Sequence, residues 1–272
     1  MNVENVITPE IEPLGKYLQK VWRYRSLILT FAYRDLKVKY AQTFLGFFWV
    51  LLQPLPSVII FTFFFGTLIH VDTGLLPYPV FALIGISGWN YFTNLTSSVG
   101  NSLVESQFIL KKIYFPKIIL LLSKILVGGC DFIITFMLIV VAMLFYRVMP
   151  SISLVYFPVF LVFNIITGFS IGIWISALTF RYRDLQYIAP YIIVFSVWLT
   201  PVFYTTTILP KNVEYLMFFN PMAFVIEGYR FCFAGGQPPS TRYLMSVIPV
   251  FILFFTGLWY FRKVEDDIAD FV

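Results

Sequence analysis

Six stretches of the chain are apolar for long enough to cross a bilayer, and the charged residues between them fall in short clusters. Spanning the hydrocarbon takes about 20 consecutive apolar residues. The runs are Thr43–Ile69, which holds no charge at all, Pro79–Val99, Ile118–Phe145, Leu154–Thr179, Tyr187–Tyr204 and Tyr243–Phe261. Lys124 and Asp131 interrupt the third; the fifth is short and bounded by prolines. The pattern predicts an all-α integral membrane protein with six transmembrane helices. An N-terminal segment 1–40 precedes a spanning domain 41–262, and a tail 263–272 follows.

The segments outside the runs are patterned too. On a helical wheel of residues 14–29, Tyr24, Tyr17, Ile28, Val21, Leu14, Leu18, Leu29 and Trp22 share one broad arc, with Lys16, Lys20 and Arg23 opposite. Arg25 and Leu27 break the arc. That is the profile of a helix lying in the membrane interface; an ordinary amphipathic helix on a soluble domain is disfavoured, because no such domain is long enough to receive it. The loop 101–117 sets an apolar patch, Phe108, Ile109 and Leu110, beside Lys111 and Lys112. It reads either as a short helix docking on a partner or as a basic loop at the headgroups. The segment 200–230 is apolar but broken by Pro201, Pro210 and Pro221. A re-entrant pair of short helices fits it, since broken backbone at membrane depth is tolerated only inside protein or beside a cavity. A folded-over outer loop is the alternative.

Composition sharpens this picture. Of 272 residues, 59% are hydrophobic, 20% aromatic and 12% charged, against about 25% charged in soluble domains. Mean hydropathy is +0.83. The formal charge of +5 is distributed between the apolar runs, so it reads as a topology signal and lipid contact, not as a nucleic-acid surface. With six spans, fourteen Lys and Arg residues fall on the side of both termini and four on the other, which predicts cytoplasmic termini. Cys130 and Cys232 sit in apolar stretches without ligand spacing, and His70 ends an apolar run and reads as interfacial. No signal peptide is expected: the first long run follows a basic amphipathic segment and exceeds a signal core.

The chemistry is limited by what is missing. There is no phosphate-binding G-x-x-x-x-G-K-[ST] loop, no zinc-like cluster and no acidic pair suited to glycosyl transfer. Energy must come from an ion gradient or from a partner that hydrolyses ATP. Lys124 and Asp131 lie seven apart, two helical turns, with direct contact doubtful. Lys124 is placed to snorkel. Asp131, beside Gly128 and Gly129, reads as a helix–helix hydrogen-bonding group in preference to an ion relay. Asn90, Asn94, Ser97 and Asn101 make a polar stripe that must avoid lipid, suited to a hydrated pathway for hydroxyl-rich cargo or to helix packing. Trp49, Phe47, Phe48, Tyr191, Phe195, Trp198, Phe203 and Tyr204 could form an aromatic wall on which sugars slide; singly, each ring is at home in a core or interface. Gly168 and Gly172 form a G-x-x-x-G packing motif. Glu227 and Arg230, three apart, can pair on one helix face; contact with anionic cargo is the sharper alternative.

Taken in order, the motifs resemble one family. They are Arg34-Asp35-Leu36-Lys37-Val38-Lys39-Tyr40, Leu45-Gly46-Phe47-Phe48-Trp49, Gln53-Pro54-Leu55, Tyr78-Pro79 and Gly88-Trp89-Asn90. Lys111-Lys112-Ile113-Tyr114-Phe115-Pro116-Lys117, Arg181-Tyr182-Arg183-Asp184, Pro201-Val202-Phe203-Tyr204, Asn220-Pro221 and Glu227-x-x-Arg230 follow. The chain resembles the permease subunits of type-2 ABC exporters for O-antigen, teichoic acid and capsular polysaccharide. Phe115-Pro116-Lys117 stands where that family commonly has Phe-Pro-Arg, keeping the charge.

The resemblance implies six spans, an interface helix, a coupling helix in the first inner loop and re-entrant gate helices before the last span. It implies a homodimer in the bacterial inner membrane with two ATPase subunits, which use the ATP and magnesium; this chain would bind no cofactor or metal itself and would not be an enzyme. On that basis Glu105, Phe108, Lys111 and Lys112 are assigned to ATPase coupling, and Arg34, Asp35 and Lys37 to the access of a lipid-linked glycan. Trp49, Asn90, Asn94, Tyr191, Phe195 and Trp198 are assigned to the pathway, and Phe203, Tyr204, Glu227 and Arg230 to an outer gate. O-antigen is the favoured cargo. Teichoic acid or capsule export, or a type-2 exporter of drugs or small lipids, remains open. An ion-coupled carrier and a membrane-embedded transferase are the more distant readings.

Overall fold

A computed structural model of the chain describes residues 13–41 and 44–271. Thr43, where the first apolar run begins, lies outside the described residues, as do residues 1–12 of the N-terminal segment and Val272 of the tail. Among the described residues the regular structure is helical throughout. The helices are α1 (Leu14–Arg23), α2 (Arg25–Tyr40), α3 (Phe48–Leu52), α4 (Leu55–Phe61), α5 (Tyr78–Glu105) and α6 (Gln107–Leu110). They continue as α7 (Ile118–Phe145), α8 (Phe157–Arg181), α9 (Leu185–Ser196), α10 (Lys211–Met217), α11 (Pro221–Ala234) and α12 (Val247–Phe271).

Prolines punctuate the order. Pro79, Pro158 and Pro221 occupy the first helical positions of α5, α8 and α11, where the missing N–H costs nothing. Pro190 is the exception, lying inside α9. The fifth apolar run is therefore a helix that ends at Ser196 and gives way to turns carrying Pro201. The first run is broken as well: α3 and α4 meet at Pro54, and α4 widens into a π-helical turn at Thr62–Leu68.

Among the described residues, four segments are long and apolar enough to cross a membrane: Phe48–Leu68, Ile118–Phe145, Ile152–Thr179 and Thr241–Glu265. The second and fifth predicted runs are not among them. α9 is apolar but short. α5 is long, yet diluted by serine, threonine, asparagine and glycine. The reason lies in its surroundings. α5 is the central helix, packed against α4, α7, α8, α9 and α11, and most of its residues are buried in protein. A helix covered by other helices need not be apolar all round.

The tightest of these contacts uses the G-x-x-x-G motif. Gly168 of α8 lies under the Phe92 carbonyl, and Thr96 Oγ1 donates to the Gly168 carbonyl at 3.3 Å. A methyl group on Gly172 would meet the Val99 side chain at 2.7 Å. Small residues let the two backbones approach, which is how helices associate when lipid supplies no hydrophobic drive.

The segment predicted as one helix over 14–29 is two, with the break at Tyr24. Each half follows its own partner. The Tyr17 hydroxyl donates to Glu265 at 2.7 Å, and the Arg262 guanidinium lies 4.7 Å from the Tyr17 ring, so α1 is tied to α12. α2 instead follows α7, with Phe31 against Phe115 at 5.3 Å. The apolar arc divides accordingly: Tyr17 is buried and Val21, Tyr24 and Ile28 half-buried, while Leu14, Leu18, Trp22 and Leu29 stay exposed.

Gly172→Leu should force α5 and α8 apart at a cost of about 1–3 kcal/mol. Its melting temperature in detergent, followed by fluorescence, should fall by several degrees. Gly129→Ala, where a methyl group meets nothing within 4 Å, should melt like the parent. Equal melting of the two variants would contradict the packing.

Candidate functional site

A half-open cavity of about 380 Å³ lies between the end of α2, the segment 44–54, α5 and α7. Three of the predicted pathway residues, Trp49, Asn90 and Asn94, line it together. Their positions follow from the fold. α8 and α7 occupy two sides of α5, and the asparagine stripe emerges on what is left. Ser97 and Asn101, the lower half of the stripe, border a small pocket against Gln186, Pro190 and Ile193 of α9.

Lys39, Tyr40, Gln53, Tyr91 and Asp131 also line the cavity, and none of them was assigned to it from the sequence. Asp131 is nearly buried and accepts from Lys39 Nζ on one oxygen and from the Tyr40 hydroxyl on the other. The aspartate thus ties α2 to α7, in keeping with the structural reading preferred for it. Burial, together with the Asp131 carboxylate, raises the Tyr40 phenol above its ordinary range, so it stays a donor at physiological pH.

Two turns earlier on α7, Lys124 does not snorkel. It is buried, with Nζ 2.9 Å from Glu105 Oε2 and 2.9 Å from Asp35 Oδ2. The Glu105 contact is a hydrogen bond; the Asp35 contact is an ion pair without hydrogen-bond alignment. Arg34 donates twice to the other Asp35 oxygen, at 2.8 and 2.6 Å. One cluster thereby joins two residues assigned to glycan access, Arg34 and Asp35, to one assigned to coupling, Glu105. Lys37 lies outside it.

The rest of the segment assigned to coupling is mostly exposed, with Ile109 and Leu110 turned back against the core. α5 ends at Glu105, and α6 presents Phe108 at 81% exposure. Lys111 and Lys112 follow in an exposed turn. Phe115 returns the chain to the core, and Glu265 fixes Lys117 through the backbone amide and the side chain. Glu265 was missed: three acidic residues follow Val264, and nothing in the sequence marks the first as the buried one.

The four residues assigned to the outer gate come together. Arg230 is buried; it donates to Glu227 at 3.1 Å and to the Val202 carbonyl at 2.8 Å, and its guanidinium lies 3.5 Å from the Phe81 ring centre. Phe203 stacks on Phe61 with ring centres 3.5 Å apart, and its carbonyl accepts from Tyr78 at 2.8 Å. The Tyr204 carbonyl sits 3.5 Å from Arg230 Nη1. Gly85 makes room, since a methyl group there would strike the Val202 carbonyl at 2.5 Å. Asn220 caps α11 through Met222 N and Ala223 N, and its amide donates to the Leu199 carbonyl and Thr200 Oγ1, each at 2.9 Å. The Asn220-Pro221 pair therefore starts a helix and holds the preceding turn to it.

The predicted aromatic wall is divided. Trp49 lines the cavity, Phe203 is buried, and Tyr191 and Phe195 project from the exposed face of α9. Trp198 reaches Phe61 and Phe203, with ring centres 6.2 and 6.1 Å away.

A central polar-striped helix, an ion-paired cluster at one of its ends and a stapled segment at the other describe a membrane transport subunit, and residues 26–234 match the family model of the ABC-2 type transporter. The chain belongs to that family. Among its relatives are two O-antigen export system permease proteins, RfbA, of Klebsiella pneumoniae. One is 28% identical over 235 residues, covering 86% of this chain and 87% of the relative. The other is 27% identical over 247 residues, covering 90% and 94%. An O-antigen export system permease protein RfbA of Myxococcus xanthus is 25% identical over 241 residues, covering 88% and 92%.

Arg230→Met should destabilise the segment 200–230 more than Glu227→Gln, because it strands both a carboxylate and the Val202 carbonyl. Removing one partner of a buried pair costs about 3–5 kcal/mol, and the partial exposure of Glu227 puts this case at the lower end. Arg230→Lys should not restore the parent melting temperature, since one ammonium cannot make the same forked contacts. Thermal unfolding of the purified variants in detergent checks the order.

Proposed function

We propose that this chain is the membrane-spanning permease subunit of an ATP-driven exporter of lipid-linked polysaccharide, of the O-antigen class, in the bacterial inner membrane. The match to O-antigen export permeases over nearly the whole of both chains carries this reading. In it α5 and α9 cross the membrane together with the four apolar segments, giving six spans with both termini cytoplasmic. α10 and α11 are the re-entrant elements. Two copies enclose the pathway, and two ATPase subunits bind the nucleotide and magnesium.

The transport step follows from the ion cluster. The ATPase docks on α6, where exposed Phe108 supplies apolar contact and Lys111 and Lys112 supply charge. Closure of the ATPase pushes α6 and the adjoining end of α5. Glu105 moves with that end, and Lys124 passes the displacement to Asp35 on α2. α2 borders the cavity through Lys39 and Tyr40, so the shove reaches the place where Trp49, Asn90 and Asn94 meet the cargo. Amide groups exchange hydrogen bonds with sugar hydroxyls, and rings stack on sugar C–H faces. Neither grips hard, which suits a polymer that must slide. Phe203, Tyr204, Glu227 and Arg230 close the outer end.

Deleting the gene in its host should remove long-chain polysaccharide from the cell surface and leave the lipid-linked polymer inside, with recovery on complementation. Unchanged surface glycan would overturn the reading, and loss of a teichoic acid or capsule in place of O-antigen would reassign the cargo. Lys111→Glu combined with Lys112→Glu should abolish export and co-purification of the ATPase while leaving membrane insertion intact. Retained co-purification and export would remove those lysines from the coupling role.

A further inference from the structure

The cavity holds charges that cancel. Among its described lining residues the ionised side chains are Lys39 and Asp131, and they are paired with each other. Three amides, Gln53, Asn90 and Asn94, line the same space without a hydrogen bond to any described residue. Both Asp131 oxygens are engaged, yet a carboxylate offers about four lone-pair sites, so each oxygen keeps room for another donor. The Trp49 ring adds a flat apolar surface.

We propose, on the basis of the export reading above, that this cavity is a subsite for a neutral sugar unit of the polymer. Asp131 accepts its hydroxyls, the three amides bond the remaining ones, and Trp49 is the platform for its C–H face. Hydrogen bonds from neutral hydroxyls to an ionised acceptor are stronger than neutral pairs, so the ion pair adds affinity without adding net charge. An acidic sugar or a pyrophosphate fares differently. It would enter beside Asp131 with only Lys39 to meet it, and Lys39 is already committed. Accepting that anion means breaking the pair or holding an uncompensated charge in a mostly apolar space. The cavity thus selects neutral units and leaves the anionic lipid end to be held elsewhere.

The test is a charge series on the intact permease–ATPase complex in nanodiscs, titrated calorimetrically with a neutral mannose trisaccharide and with a trisaccharide of equal length carrying one glucuronate. The parent should bind the neutral probe at millimolar concentration and discriminate against the acidic one. Asp131→Asn, which leaves a surplus positive charge, should lose about tenfold in neutral affinity and gain the acidic probe. Lys39→Met should discriminate against the acidic probe more strongly than the parent. The double variant should return to the parent's preference at lower affinity. Should Asp131→Asn fail to fold, Asn94→Leu tests the same cavity and should weaken neutral binding about tenfold.

A preference that ignores the charge series, no binding of the neutral probe to the parent, or a phospholipid retained by the parent and lost from Asn94→Leu in native mass spectra would each overturn the proposal. These outcomes are separable from failure of the export reading, which shows as normal surface glycan in the deletion strain.

Discussion

The near-contact of α5 and α8 governs where everything else in this molecule can go. Lipid gives helices no hydrophobic reason to associate, so α5 needs a partner whose backbone can come close. Gly168 and Gly172 provide it, and Val99 and Thr96 fill the space. With α8 seated on one side, α7 and α11 take further sides of α5. The polar stripe is left at the remaining edge, where a cavity borders its upper half. The motif that looks like a dimerisation signal in isolation is consumed inside the subunit.

A second constraint acts through charge. Lys124 stands where α2, α5 and α7 converge and contacts a carboxylate from each of the first two. Asp131 repeats the arrangement with α2 higher on α7. α2 is therefore not laid loosely against the spans. It is bolted to α7 at two levels, while α1 is bolted through Tyr17 to the last helix.

The sequence made the class and much of the helix order readable, because apolar runs, proline positions and absent catalytic motifs are local features. The Glu227–Arg230 pair and the G-x-x-x-G contact were legible for the same reason: both depend on spacing within one helix. What escaped was relational. Lys124 and Asp131 stand seven apart on one helix and each invited comparison with the other, yet their partners lie far away on α2 and at the end of α5. Glu265 hides among neighbouring acids, and only the approach of Tyr17 and Lys117 distinguishes it. The break at Tyr24 carries no glycine or proline, so the wheel ran through it. Aromatic residues were legible as a type but not by position: Trp49 lines the cavity, Phe203 is buried beside Trp198, and Tyr191 and Phe195 are exposed on α9.

The ion pairs also settle where the protein's electrostatic surplus resides. Arg34, Lys39, Lys124 and Arg230 are matched one for one by Asp35, Glu105, Asp131 and Glu227. These eight groups sum to nothing, so the formal excess of +5 belongs wholly to the other charges of the chain. Glu265 is a further buried carboxylate, held by Tyr17 and by Lys117. The excess outside these pairs favours contact with anionic phospholipid, by about 1 kcal/mol for each lysine or arginine that lies near such a surface.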